Sequence, residues 1–478
     1  MTETGMMLLS QAAQALGARL IGADARFAAV SSDSRKIQPG DLFIALRGEK
    51  FDGYEFVAGA ARDGAVAALV NADSYAAHPS LASSPPLLVV EDTRLALGQL
   101  AAYWRRQFDI PLVAITGSNG KTTVKEMLAG ILRIAAGKED GVLATQGNFN
   151  NDIGMPLTLL QLNAQHRYAV IEMGMNHPGE IDYLTHIACP DVALINNASG
   201  AHLEGLGSVE AVAQAKGEIF AGLKPQGTAL INADDDHAPL WRSLAGSHTL
   251  LEFGLGDMTR CVQADISGQW QPQGTGLHLD VQTPSGNFNA DLQVPGTHNA
   301  RNALAAIAAA VALNVPLETI AAGLEKFGGV AGRLQRKAAL HGAVVIDDTY
   351  NANPASMRAA IGVLAQADME NPSSKRVLVM GDMGELGDNA AVLHAEIGTE
   401  ARYAGVRKLY ALGALSSNAV RAFGCGAQHF ERIEDLLEAL EGELDEDTTV
   451  LVKGSRFMKM ERVVAFFASD KEAKCCSH

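Results

Sequence analysis

Leu112-Val113-Ala114-Ile115-Thr116-Gly117-Ser118-Asn119-Gly120-Lys121-Thr122-Thr123 passes from an apolar run through a glycine-rich turn into a segment with Val124, Met127, Leu128, Ile131 and Leu132 at three-and-four spacing. The run reads as a buried strand and the spacing as an amphipathic helix, so the stretch is a strand–loop–helix unit of a parallel sheet. Such a loop aims successive backbone N–H groups and the helix dipole at one point, and Lys121 adds a mobile positive charge there. A bound phosphate is the ligand this chemistry suits, with the Thr122 hydroxyl free to ligate Mg²⁺. Gly117 lies three residues before Gly120, closer than in the usual phosphate loop, so a strict pattern search misses it.

Outward from the loop, Tyr168-Ala169-Val170-Ile171, Val192-Ala193-Leu194-Ile195 and Thr228-Ala229-Leu230-Ile231 extend the same doubly wound sheet, with helical patterns between them. Gln263–Val294 alternates polar and apolar residues around turn signals and reads as an antiparallel appendage. Beyond Gly328-Gly329 a new series of apolar runs starts, at Val344-Val345-Ile346, Val377-Leu378-Val379-Met380, Leu409-Tyr410-Ala411-Leu412 and Val450-Leu451-Val452. The first hundred residues hold short strand-like runs among turns such as Gln38-Pro39-Gly40-Asp41. The expected architecture is α/β in three domains: a small α/β domain over 1–105, a phosphate-loop domain with a mostly parallel sheet over 106–327, and a Rossmann-like domain over 328–478. A chain of 478 residues exceeds one ordinary core, which agrees with three.

A net charge of -16, with no basic run interleaved with aromatics, argues against nucleic-acid binding. It also means that any phosphate ligand needs backbone amides, metal ions or a few placed cations. Five scattered cysteines without paired C-x-x-C spacing indicate a reducing compartment rather than a zinc site. Glu3 and the polar Ser10, Gln11 and Gln14 break up the first residues, so no signal peptide is expected. The longest apolar run, Ala303–Leu313, is too short to span a bilayer and reads as a packed helix. The expectation is a cytoplasmic monomer with a frayed tail at Lys471–His478.

The string Thr116–Thr123 resembles the ATP loop of the Mur ligase family, three-domain amide-forming enzymes of bacterial peptidoglycan precursor synthesis. Asp348-Thr349-Tyr350-Asn351-Ala352-Asn353-Pro354 and Gly381-Asp382-Met383-Gly384-Glu385-Leu386-Gly387 are similar to the branch that joins D-alanyl-D-alanine to UDP-N-acetylmuramoyl-tripeptide. The Tyr-Ala-His-Thr-Pro and Asp-Asn-Pro-Arg strings of the branch that adds the third residue are absent. The resemblance implies an acyl-phosphate mechanism with ATP and Mg²⁺ as cofactors. A guanine-nucleotide switch would carry an Asn-Lys-x-Asp string, which is also absent.

Residue by residue, the resemblance assigns ATP to Gly117, Ser118, Asn119, Gly120, Lys121, Thr122 and Thr123, and adenine contacts to the His298-Asn299 helix start and Asn302. Asn299 equally fits a helix cap. From the third domain it brings Arg333 to phosphate and Asp348 to ribose, with Asp347 as an alternative and Tyr350 near the adenine. Thr122, Glu172, His202 and Lys216 are its metal set, Lys216 as a carbamate. Glu172 ends a strand-like run, where doubly wound sheets bind ligands. Catalysis would rest on Lys121, Lys216, His202 and Arg333. Ser32, Ser34, Arg35, Asp52, Gly53, Asn148 and Asn151 would hold the UDP-sugar substrate, although the same residues make ordinary turns and caps. Asn351, Asn353 and Lys453–Arg456 are left for the dipeptide or for closing over the phosphates.

Overall fold

The computed structural model describes residues 5–48, 51–78, 85–200, 203–256, 264–370 and 375–468. His202 and the tail from Lys471 lie outside them. Three sheets follow one another along the chain. The first has the order Arg19–Ile21, Leu87–Val90, Ala67–Asn71, Asp41–Ile44, Ala29–Ser31, parallel except for its first pair. A two-stranded ribbon, Met7–Leu8 with Arg26–Phe27, lies beside it.

The helix Thr93–Arg105 starts where Asp92 accepts the N–H groups of Arg94 and Leu95, a capping arrangement. It packs against Leu9–Leu16 on one side and against Gly154–Leu159 and Glu180–Ala188 of the central region on the other. One apolar core therefore runs from Met7 and Leu42 through Leu97 and Leu100 to Ile171, Ile195 and Trp241. Burial of this much apolar surface fixes the first sheet against the second rather than leaving it on a tether.

The central sheet has nine strands. Val142–Ala144, Tyr168–Glu172, Leu112–Thr116, Val192–Ile195, Thr228–Asn232, Thr249–Gly254 and Ile266–Gln273 are parallel neighbours in that order. Gly276–Thr283 and Gly286–Leu292 then run antiparallel. Leu112–Thr116 is buried along its whole length, as its uninterrupted apolar run requires of a strand covered on both faces. The opposite face lies under Lys121–Ala136, Thr297–Ala312 and Leu317–Glu325.

The expected appendage is antiparallel, but it is not separate. Phe253 and Gly254 pair with Ile266 and Ser267, so it continues the central sheet. Its inward residues Leu277, Leu279, Val281, Ala290 and Leu292 are buried in the same core as the two helices above them. Alternation announced the half-buried strands; the edge that received them was not visible in sequence.

The third sheet orders Gln335–Ala338, Val344–Asp348, Thr448–Lys453, Lys375–Gly381, Lys408–Leu412 and Ala427–Phe430, with only the first pair antiparallel. Pro354–Glu370, Ala390–Tyr403 and Ser417–Phe423 cover one face and Ile433–Glu441 and Glu461–Phe467 the other. Among the described residues no helix is long and apolar enough to cross a membrane.

Candidate active site

The carboxyl ends of Leu112–Thr116, Tyr168–Glu172 and Val192–Ile195 are neighbours in register, Glu172 standing beside Ile115 and Ile195 beside Thr116. The loop Gly117–Gly120 leaves this edge and turns into the helix Lys121–Ala136 through Gly120, whose φ of 79° is left-handed. A Cβ there would also collide with Asn302 Oδ1, so only glycine fits. The first N–H groups of the helix have no intrahelical carbonyl and face the loop mouth, which makes an anion site.

A feature of the loop that sequence reasoning missed is its clamp. Asn196 and Asn197 each donate to the Asn119 carbonyl, at 2.9 and 3.0 Å, and Asn197 Oδ1 accepts the Asn119 N–H at 2.9 Å. Ser118 and Asn119 also bond to Ser199 through side-chain and backbone groups. Asn302 accepts from Asn196 Nδ2 at 3.0 Å, and Asn299 donates to the Pro295 carbonyl at 2.8 Å. Both thus brace the loop and the start of the helix Thr297–Ala312. The tandem asparagines after a strand were the available signal.

Lys121 Nζ donates to the Gly117 carbonyl at 2.6 Å, which holds it over the loop. Burial lowers its pKa, with Arg333 acting in the same sense and Glu172 and Glu385 opposing. Thr122 Oγ1 donates to Glu172 Oε2 at 2.9 Å and accepts from Arg333 Nη2 at 2.9 Å. Hydroxyl, carboxylate and guanidinium from a helix, a strand end and the start of the third region therefore meet at one point. Arg333 lies 4.3 Å from the Tyr350 ring centre, stacked on it, and its Nε is buried with no hydrogen-bond partner among the described residues. A cation with an unfilled donor, aimed at the phosphate loop, fits an anionic ligand.

Paired hard oxygens from Thr122 and Glu172 suit Mg²⁺, which is commonly held by one or two protein oxygens together with substrate phosphates. Among the described residues no three His, Cys, Asp or Glu side chains cluster around a metal-sized space, so the fit rests on this pair. Lys216 is 1% exposed. Burial, with Lys121 second, drives its pKa well below the ordinary value, which favours the neutral amine.

In the third region Asp348, with its pKa raised by burial, accepts from Lys453 Nζ at 2.6 Å and from the Leu334 N–H at 3.2 Å. Asp347 is taken up by Lys337 and Thr349, which separates the two aspartates: only Asp348 is held by Lys453, which also donates to the Asn351 carbonyl. Asn353 Nδ2 reaches Asn119 Oδ1 at 2.9 Å, while its Oδ1 accepts the Ser356 N–H. It docks the third region on the phosphate loop and caps a helix turn. Asn351 Oδ1 accepts the next N–H.

The residues expected to hold the UDP-sugar substrate lie in turns of the first region and in the central-region loop after the helix Lys121–Ala136. Arg35 folds back onto Asp33 at 2.8 Å and stays exposed, in the turn that also holds Ser32 and Ser34. Asp52 accepts the Tyr54 N–H and the Ser74 hydroxyl, and Gly53 is buried against Leu46. Asn148 lies on an exposed turn and Asn151 accepts the N–H groups of Ile153 and Gly154, the capping alternative. Asn150, between them, donates to Glu172 Oε1 at 2.8 Å and links this loop to that carboxylate.

Family models described as "Mur ligase family, catalytic domain", "Mur ligase middle domain" and "Mur ligase, glutamate ligase domain" match residues 26–105, 115–310 and 332–456. The chain belongs to the Mur ligase family. Within it, the chain is 42% identical to the UDP-N-acetylmuramoyl-tripeptide--D-alanyl-D-alanine ligase of Escherichia coli, covering 95% of this chain and 97% of that one. The Bacillus subtilis ligase of the same name is 35% identical over 91% and 92%. A crystal structure of MurF from Acinetobacter baumannii superposes with a TM-score of 0.86 at 37% identity, covering 96% and 97%. MurF of Thermotoga maritima in complex with ADP does so with 0.76 at 26%, covering 91% and 96%.

Proposed function

We propose that this chain is an ATP-dependent ligase that joins D-alanyl-D-alanine to UDP-N-acetylmuramoyl-tripeptide, producing the UDP-N-acetylmuramoyl-pentapeptide precursor of peptidoglycan. The observation that carries the reading is the meeting of Lys121, Thr122, Glu172 and Arg333 at one phosphate loop, in a chain whose relatives bear that activity in their names over nearly their whole length.

The tripeptide's terminal carboxylate attacks the γ-phosphorus of ATP, ADP leaves, and the acyl phosphate formed is displaced by the dipeptide's amine with release of phosphate. Carboxylate and ATP repel each other, so charge must be neutralised before they meet. Lys121 and Arg333 supply positive charge at the loop. Thr122 and Glu172 would hold Mg²⁺, which would supply further charge neutralisation at the phosphates. Lys216 serves as a carbamate: its buried neutral amine is the form that reacts with carbon dioxide, and the product supplies the carboxylate oxygens that an ammonium lacks. Asn299, Asn302, Asp348 and Tyr350 form the nucleoside side. The exposed turns around Ser32–Arg35 and Asn148–Asn151 receive the UDP-sugar, and the Asn351–Asn353 segment the dipeptide. The three functional regions divide near residues 105 and 327, and the enzyme works as a cytoplasmic monomer.

The test is phosphate release by purified protein with ATP, Mg²⁺ and UDP-N-acetylmuramoyl-tripeptide, with and without D-alanyl-D-alanine. Release that requires the dipeptide and yields pentapeptide is expected. Release indifferent to the dipeptide rejects the assignment. Lys121→Ala abolishes turnover and leaves the circular dichroism spectrum unchanged.

A further inference from the structure

Lys125, one helical turn beyond Lys121, is 1% exposed and takes no part in the chemistry above. Burying an ammonium is costly unless it is paired and hydrogen-bonded, and a helix facing a sheet would ordinarily put leucine or methionine there. Lys125 Nζ donates to the Thr145 carbonyl at 2.6 Å and pairs with Glu126 Oε1 at 2.6 Å.

Thr145, also 1% exposed, directly follows the edge strand Val142–Ala144. Its N–H bonds to the Val170 carbonyl at 3.1 Å, continuing the ladder. One step further on, the Glu172 N–H is received by the Thr145 hydroxyl at 2.9 Å rather than by a main-chain carbonyl. Thr145's own carbonyl is the one Lys125 holds. From the other side Asn150, five residues along the same segment, grips the Glu172 side chain. The backbone of Glu172 and one of its carboxylate oxygens are thus fixed by a single segment, and Lys125 ties that segment to the helix that carries Thr122.

We infer that Lys125 and Thr145 are positioning residues which hold Glu172 at the distance from Thr122 where the two oxygens act as one metal site. They touch neither substrate nor nucleotide. The inference rests on the reading of Thr122 and Glu172 as metal-binding oxygens. Groups that orient metal ligands in this way typically cost 10- to 100-fold in metal affinity or activity when removed.

Binding of Mn²⁺ in the presence of ATP, followed by electron paramagnetic resonance with no acceptor or dipeptide added, tests it. Lys125→Met keeps the side-chain stem, Thr145→Val keeps the shape but not the acceptor, and Thr145→Ser keeps the acceptor. Mn²⁺ affinity falls about 10-fold or more in Lys125→Met and Thr145→Val and is retained in Thr145→Ser. In turnover, the Mg²⁺ concentration for half-maximal rate rises in the first two while KM for the dipeptide is unchanged. Wild-type Mn²⁺ affinity in Lys125→Met and Thr145→Val, with or without a lowered Tm, overturns the inference. Should Lys125→Met not fold, the Thr145 pair decides alone. Wild-type protein that binds Mn²⁺ with ATP yet ligates nothing would refute the proposed function and leave this inference standing.

Discussion

Single residues carry most of the chemistry, and their environments make separate predictions. Lys216 is buried with its pKa far below the ordinary value. Lys216→Ala should lose turnover and regain part of it with added short carboxylic acids, as measured by phosphate release; full activity without rescue would dispose of the carbamate. His298 has a buried Nε2 with no hydrogen-bond partner among the described residues, and burial followed by Lys453 and Arg301 lowers its pKa from 6.5 to about 4. The unfolded chain therefore takes up a proton near pH 6.5 that the folded one refuses until about pH 4. Stability contributed by the neutral ring is complete above pH 6.5 and is lost as pH falls towards 4, by roughly 3 kcal/mol in all. Denaturant unfolding should show a shallower loss over that window in His298→Gln than in the parent.

At the scale of elements, the chain places small residues where two backbones must touch. Gly398 in the helix Ala390–Tyr403 faces Ser417–Phe423 so closely that a Cβ would collide with the Ala419 carbonyl. Gly398→Ala should destabilise the third region by about 1–3 kcal/mol, read as a fall in Tm of its transition, because neither helix backbone can yield locally. Apolar runs disclosed the strands of both large sheets, as a strand covered on both faces has little choice of residue. Thr249–Gly254 and Ala427–Phe430 were less legible, since each is only partly buried and carries polar residues such as Glu252 and Gln428.

The whole molecule brings the third region onto the phosphate loop through two contacts from distant sequence, Arg333 to Thr122 and Asn353 to Asn119. Arg333→Ala should lower kcat/KM on the order of 10²- to 10³-fold, the range for removing one preorganised donor to developing charge. A double-mutant cycle on Asn119→Ala and Asn353→Ala, read in kcat/KM, should give a coupling of at least about 0.5 kcal/mol, whereas additive effects would show that the contact contributes nothing to closure. By itself the sequence determined the strand–loop–helix unit of the phosphate loop, the α/β class and the likeness to one ligase family. Those depend on local spacing and on side-chain chemistry, which a chain displays without folding. Tertiary structure alone decided that Asp348 rather than Asp347 pairs with Lys453, that Asn196, Asn197 and Asn302 clamp the loop, that Lys216 is buried, and that Lys125 stands behind Glu172. Each of these joins strand ends or helices far apart in sequence, where burial and hydrogen-bond satisfaction are settled only when the sheets pack.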